Sequence, residues 1–297
     1  MNSNDLIMYP VVKDEDVYQV KRDLPRPLQK PPFVSIICGG KGSGKTTSLI
    51  NEMMRSNMMG SKKNEEDVFD DTIIFSGTLG SDSTSRHLVK KATMVSNVYD
   101  DEAIKSIVNF QQSKNKKDRR HICIIADDIA PMIKQRDCEL YRLTSTHRHN
   151  LFSIYYLVQN WKMLPPVARS NASNFHIYRI PSTKEQEKIF EDLQFLGNKK
   201  MIKEQIKSII EKYAEPLNDN HGGCTLIIRS NNFKKMIKDL YDYSTNKPFN
   251  FLFVDAIKNE CWKWGNCEPE FLWSKYSDNG GYNEPFKIPS GTVIIED

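Results

Sequence analysis

The sequence predicts an α/β fold in which a mostly parallel central sheet is flanked by helices. Three observations predict it. Apolar strand-like runs alternate with stretches of helical periodicity from Phe33 onward. The first run, "FVSIIC", passes through a glycine-rich turn straight into a helix start, "GKTTSLI". The third run, "HICIIADD", ends in paired aspartates, where a parallel sheet would line its ligand crevice. Strands that alternate with helices in this way are covered on both faces.

Taken in order, residues 1–32 are polar and proline-bearing ("DLPRPLQKPP") and read as an arm or linker. The first strand is followed by a helix over about Lys45 to Asn57, whose methionines ("MMRSNMM") read as core packing. "DTIIFSG", Asp71 to Gly77, is a second strand, and Asp100 or Asp101 is the N-cap of the helix "DDEAIKSIVNFQQS". After "HICIIADD" a polar helical stretch runs from Met132 to Thr146. The fourth strand is Phe152 to Asn160 and the fifth Asn174 to Ile180. "STKEQEKIFEDLQFL" is a helix with a capping-box-like start at Ser182 or Thr183. This gives an arm over 1–32, a core over 33–215 and a C-terminal extension over 216–297 docked on that core. In the extension "CTLIIRS" and "FNFLFVDAI" look like strands, and "ECWKWGNCEPEFLWSKYSDNGGYNEPF" looks aromatic-rich and loop-like.

A chain of 297 residues can bury a sizeable core as one large α/β domain or two small ones. It has no apolar run long enough to span a bilayer, and "MNSNDLIMYP" lacks the regions of a secretory signal. A soluble intracellular protein is therefore expected. The six cysteines form no C-x-x-C pair, and Cys38 and Cys123 lie in strand runs, so reduced core thiols are expected over a metal site. The net charge of +4 is too small to mark a nucleic-acid binder by itself. Two local clusters, "KNKKDRRH" (Lys114 to His121) and "GNKKMIK" (Gly197 to Lys203), read either as solvated surface or as contacts to a phosphate backbone.

Gly39-Gly40-Lys41-Gly42-Ser43-Gly44-Lys45-Thr46, with Thr47 after it, fits the phosphate-loop pattern G-x-x-x-x-G-K-[ST] between a strand and a helix. The glycines let successive N–H groups converge on phosphate oxygens, and the helix N-terminus adds partial positive charge. Lys45 reaches the β- and γ-phosphates of ATP, and the Thr46 hydroxyl ligates Mg²⁺. Asp127 is placed to hold Mg²⁺ and Asp128 to polarise the attacking water. Gln159, at the tip of the fourth strand, is placed to sense the γ-phosphate, while Asn160 reads equally well as a capping amide. At least one strand, Thr72 to Ser76, falls between the loop strand and the acidic strand in the chain. With a second acid after the metal-binding one, this resembles the additional-strand (ASCE, RecA/FtsK-like) class of three-layer phosphate-loop NTPases.

These residues resemble the FtsK/HerA superfamily, and within it the poxvirus-type virion DNA-packaging ATPases of large DNA viruses and their relatives. The resemblance covers about Phe33 to Asp192 and rests on "GGKGSGKT", "CIIADD", "STHRHNLFSIYYLVQN" and "ARSNASNFHIYRI". It implies a homo-oligomeric ring, pentameric or hexameric, that uses ATP to thread double-stranded DNA into a preformed capsid. It further implies a capsid or portal-vertex partner and a location in the virion or at the assembly site in the host cytoplasm. It carries over Lys45, Thr46, Asp127, Asp128 and Gln159. A ring motor also needs an arginine donated to the neighbouring site, for which Arg148 and Arg169 are the candidates.

A phosphate loop also serves three other kinds of protein. A nucleotide or small-molecule kinase needs an acceptor pocket and an arginine-rich lid, and no clear lid segment is visible. A guanine switch needs D-x-x-G and N-K-x-D, whereas the acidic strand continues "DDIAP" and "TNKPFN" lacks the aspartate. A structural virion protein with residual ATP binding would not need the intact loop and acid pair.

Overall fold

A computed structural model describes residues 24–60, 67–77, 86–129, 133, 138–193, 233–265 and 268–274. The strands are β1 (Val34–Cys38), β2 (Asp71–Ser76), β3 (Met94–Ser96), β4 (Ile122–Asp127), β5 (Phe152–Val158), β6 (Asn174–Ile177), β7 (Phe251–Asp255), β8 (Glu260–Gly265) and β9 (Glu268–Ser274). The helices are α1 (Lys45–Met54), α2 (Arg86–Val89), α3 (Asp101–Ser113), α4 (Glu139–Asn150), α5 (Pro166–Ser170), α6 (Thr183–Asp192) and α7 (Phe233–Ser244).

All nine strands form one sheet in the order β3-β2-β4-β5-β1-β6-β7-β8-β9. From β3 to β6 every pairing is parallel, and from β6 to β9 every pairing is antiparallel. The strand that separates β1 from β4 in space is β5, whereas β2, which separates them in the chain, lies on the far side of β4. The additional strand is thus the one that ends next to Gln159.

Alternation along the strands divides the core into two layers. On one face Ile36, Ile124, Ile154 and Tyr156 pack with Ile104 of α3, Leu140 and Leu143 of α4, Ala168 of α5, Phe190 of α6 and Leu240 of α7. On the other face Ile37, Ile125, Tyr155 and Leu157 pack with Leu49 and Met53 of α1 and Leu88 of α2. Met58 and Met59 are buried in this second layer, as the core reading of the methionines requires, while Met54 is on its rim. This is a three-layer α/β architecture with a mostly parallel sheet.

The local start signals hold. The Asp100 side chain accepts hydrogen bonds from the backbone N–H of Glu102 and Ala103. Ser182 caps α6 through the Glu185 N–H. The polar helix after the acidic strand is observed as α4, starting at Glu139 and continuing past Thr146 to Asn150. Despite its loop-like composition, part of the aromatic-rich stretch forms strands, β8 (Glu260–Gly265) and β9 (Glu268–Ser274). Pro269 in β9 is tolerated because β9 is the edge strand among the described residues, where a missing donor costs no ladder bond on the open side. "GNKKMIK", "CTLIIRS" and the boundary at 215 lie outside the described residues, as does most of the arm.

Candidate functional site

The parallel strands β1, β4 and β5 end on the same edge of the sheet, and the loop, the acid pair and Gln159 all sit at those ends. Tight packing against Tyr178, just past β6, sets the first bend of the loop. A Cβ on Gly39 would stand 2.5 Å from Tyr178 Cβ and 2.7 Å from Ser43 Oγ, so only glycine fits there. Gly42 and Gly44 take φ of 73° and 98°, the left-handed region that a side chain disfavours. Gly44 is also the N-cap of α1 and brings no capping side chain, which leaves the first-turn N–H groups directed at the loop.

Lys45 is buried, and its Nζ donates to the carbonyl oxygens of Gly39 at 2.8 Å and Gly40 at 3.2 Å. Burial lowers the pKa of this ammonium, and the negative charges of Asp128 and Asp127 oppose the shift. The three residues therefore share one electrostatic site. Cys38, at the end of β1, has its thiol pushed up to about 12 by burial, so it is inert beside the loop.

Asp127 is buried, and its Oδ2 accepts from Ser76 Oγ at 2.9 Å. Thr46 and Asp127 offer one hydroxyl and one carboxylate. Such a sparse oxygen set suits Mg²⁺, which takes its remaining ligands from water and phosphate. Asp128 leaves the strand with φ of 50°, a conformation that turns its side chain out of the strand's alternation. Its backbone N–H donates to the Leu157 carbonyl at 3.0 Å. Gln159 Nε2 donates to Asp128 Oδ2 at 2.6 Å. The side chain expected to sense the γ-phosphate is thus hydrogen-bonded to the one expected to orient water. Asn160 takes the capping role instead, its side chain accepting from the Lys162 N–H at 3.0 Å.

The arginine candidates lie elsewhere. Arg148 is exposed near the end of α4, immediately before β5, on the edge of the sheet opposite the loop. A cavity of about 630 Å³ sits there, lined by Arg148, Arg169, Asn171 and Asp192 among others, and it is larger than the one beside the loop. Arg169 is spent internally: its Nε pairs with Asp192 Oδ2 at 2.8 Å, a carboxylate that also accepts from Trp161 Nε1 at 2.7 Å. Within the single chain Arg169 is therefore engaged internally, whereas Arg148 is exposed.

The basic cluster before β4 divides in the same way. Arg120 Nε pairs with Asp71 at 2.9 Å, Arg119 donates to the His149 carbonyl at 2.6 Å, and His121 is buried. Lys114 lies over the Phe110 ring at 4.1 Å. Lys116 and Lys117 are exposed, on the same edge as Arg148.

Two contributors escaped the sequence reading. Ser76 pairs in register with Asp127 across β2 and β4, and a serine closing an apolar strand was its only local signal. Phe249, from the C-terminal extension, sets its ring against Gly44 across about two hundred residues of chain and left no local signal at all.

The Poxvirus A32 protein family matches residues 21–218. The DNA packaging protein OPG160 of Variola virus is 25% identical over 196 residues, covering 65% of this chain and 69% of its own. Among solved structures, the genome packaging NTPase B204 of Sulfolobus turreted icosahedral virus 2, in complex with AMP, is 13% identical at a TM-score of 0.49 and covers 82% of this chain and 100% of its own. The N-terminal domain of zonular occludens toxin from Neisseria meningitidis is 18% identical at a TM-score of 0.32, covering 51% of this chain and 78% of its own. The loop, the acid pair and Gln159 all lie inside the matched stretch, which spans more than half of the sequence, and the chain belongs to the Poxvirus A32 protein family.

Proposed function

We infer that this chain is a viral DNA-packaging ATPase, a motor that moves double-stranded DNA into a preformed capsid. The observation that carries the reading is the contact between Gln159 and Asp128 beside a complete phosphate loop, within a chain of this family. A binding module needs the loop alone, whereas hydrolysis needs a positioned acid as well. The name of the Variola relative, a DNA packaging protein, supplies the substrate class.

In this reading the loop amides and Lys45 hold the phosphates of ATP. Thr46 and Asp127 would hold Mg²⁺, which would supply charge neutralisation to the bound phosphates. Asp128 accepts a proton from the attacking water, and Gln159 fixes that carboxylate while reading the γ-phosphate. The site lies on one edge of the sheet and Arg148 on the other. A head-to-tail ring, pentameric or hexameric, would bring the Arg148 edge of one subunit to the loop of the next. The exposed Lys117 would then stand near the subunit boundary, within reach of DNA phosphates. The capsid or portal vertex would be the docking partner, and the virion or the cytoplasmic assembly site the place of action. No helix among the described residues is long and apolar enough to cross a membrane.

The test is steady-state ATP hydrolysis with and without long double-stranded DNA, at low and moderate salt. The expected result is stimulation by DNA that weakens as salt rises, because phosphate contacts release counterions, and that is lost in Lys45→Ala. Hydrolysis indifferent to DNA, paired with phosphoryl transfer to a small acceptor, would overturn the motor reading in favour of a kinase.

A further inference from the structure

We propose that the cavity beside the phosphate loop is the seat of the nucleobase, with Phe249 of the C-terminal extension stacking on a purine ring. The proposal rests on reading the loop as a nucleoside triphosphate site and adds where the rest of the nucleotide goes.

The cavity holds about 330 Å³ and shares its wall with the loop: Gly44, Thr47 and Asn51 form one side. This is a size that a small ligand fills, largely apolar with a few polar groups at its margin. A nucleotide whose phosphates sit at the N-terminus of α1 has its other end directed to this neighbourhood. Tyr178, Phe251 and Trp264 form the other side. The Phe251 and Trp264 rings stack at 5.7 Å and 20°, and Tyr178 lies 4.8 Å from Phe251. The result is an aromatic wall suited to a heteroaromatic ring.

Phe249 is the second, independent observation. It is 67% exposed, so it is not a core residue. Its φ of 65° places a bulky side chain in the left-handed region, an outlier for an aromatic residue. Its ring leans on the loop, with Cδ1 3.0 Å from where a Cβ on Gly44 would stand. An exposed ring held in an unfavourable backbone conformation against a phosphate-binding glycine is explained by a ligand that covers it. Base stacking on an aromatic face is such a contact and needs no dedicated hydrogen-bond pair. The polar rim fits this, since the Asn51 amide is already engaged with the Thr47 carbonyl at 3.0 Å.

The topology explains why the extension can supply this ring. β7 runs antiparallel to β6, pairing Leu252 with Ile177, so the residues that precede β7 emerge on the edge where β1 and β6 end.

The test is calorimetric titration of the full chain with ATPγS and, separately, with inorganic tripolyphosphate. Phe249→Ala is expected to weaken ATPγS binding by roughly 10-fold to 100-fold, the loss one base–aromatic stack produces, and to leave tripolyphosphate affinity unchanged. Phe249→Trp is expected to restore ATPγS binding. Because Phe249 is exposed, the thermal unfolding midpoint of both variants should match the wild type. Unchanged ATPγS affinity in Phe249→Ala, or equal weakening of both ligands, would overturn the proposal. Failure of both ligands to bind the wild-type chain would sink the nucleotide reading of the loop, and the base seat with it.

Discussion

Asp128→Asn isolates the chemistry of this site from its geometry. Asparagine tolerates the left-handed conformation that Asp128 adopts at φ of 50°. Its Oδ1 can still accept from Gln159 Nε2, now 2.6 Å from the carboxylate. What is lost is the ability to take a proton. A positioned general base contributes about 10² to 10⁴ in rate, so kcat should fall by that factor while ATP affinity, carried by the loop, is retained. Gln159→Ala removes one hydrogen bond to a charged acceptor. Such bonds are worth about 1.5–3 kcal/mol when enclosed. The Gln159 contact is open to solvent, so about 1 kcal/mol applies, or roughly a five-fold loss in kcat. If Gln159 works by holding Asp128, the double variant should be no slower than Asp128→Asn alone, the non-additivity of groups that act as a unit. Single-turnover hydrolysis with saturating enzyme measures all three variants without interference from product release. Wild-type turnover in Asp128→Asn, or full additivity in the double variant, would refute the reasoning.

Three further outcomes are expected. Arg169→Ala should lower unfolding free energy by about 2 kcal/mol, less than for a fully buried pair because Asp192 is partly exposed; nucleotide titration should show ATP affinity unchanged. Under the proposed ring, Arg148→Ala should abolish hydrolysis, and mixing it with inactive Lys45→Ala subunits should restore part of the activity, since some interfaces would then pair an intact loop with an intact arginine. His176 is buried between Phe251 and Phe253, and burial lowers its pKa to about 3, so the folded chain keeps it neutral. The unfolded chain protonates it near pH 6.5, so it makes stability fall as pH drops from about 6.5 towards 3, by about 1.4 kcal/mol per unit. Denaturant melts across that window should show a shallower acid limb for His176→Phe.

Much of the site was legible because its constraints are local. A glycine at Gly42 or Gly44 is needed where φ is positive, and the spacing to Lys45 is set by one turn of chain. The acid pair and Gln159 could be read because parallel strands deliver their C-terminal residues to one edge. Asn160 could not be assigned from position, since a strand tip and a cap look alike until the next turn is seen; the Lys162 N–H settles it as a cap. The internal pairing of Arg169 was hidden for a similar reason. Its partner, Asp192, is 23 residues away at the far end of α6, and no local pattern announces a guanidinium committed to such a contact. β3 was missed because a three-residue strand is too short to show a period.

The C-terminal extension was the hardest to read, and the cause is physical. Its strands pair antiparallel at the end of the sheet, where Gly265 and Pro269 are tolerated although they punctuate the sequence like a loop. Gly265 is required for contact: a Cβ there would stand 2.2 Å from the Asn250 side chain. That close approach locks the start of β7 against the end of β8, next to Phe249. The same glycine that makes the segment look like a loop therefore positions the backbone that carries the exposed ring to the phosphate loop. Glycine and proline report only that the chain does something a side chain or an N–H would obstruct. Whether that is a turn or a close strand contact depends on a partner about 15 residues away in this case, a distance that periodicity does not span.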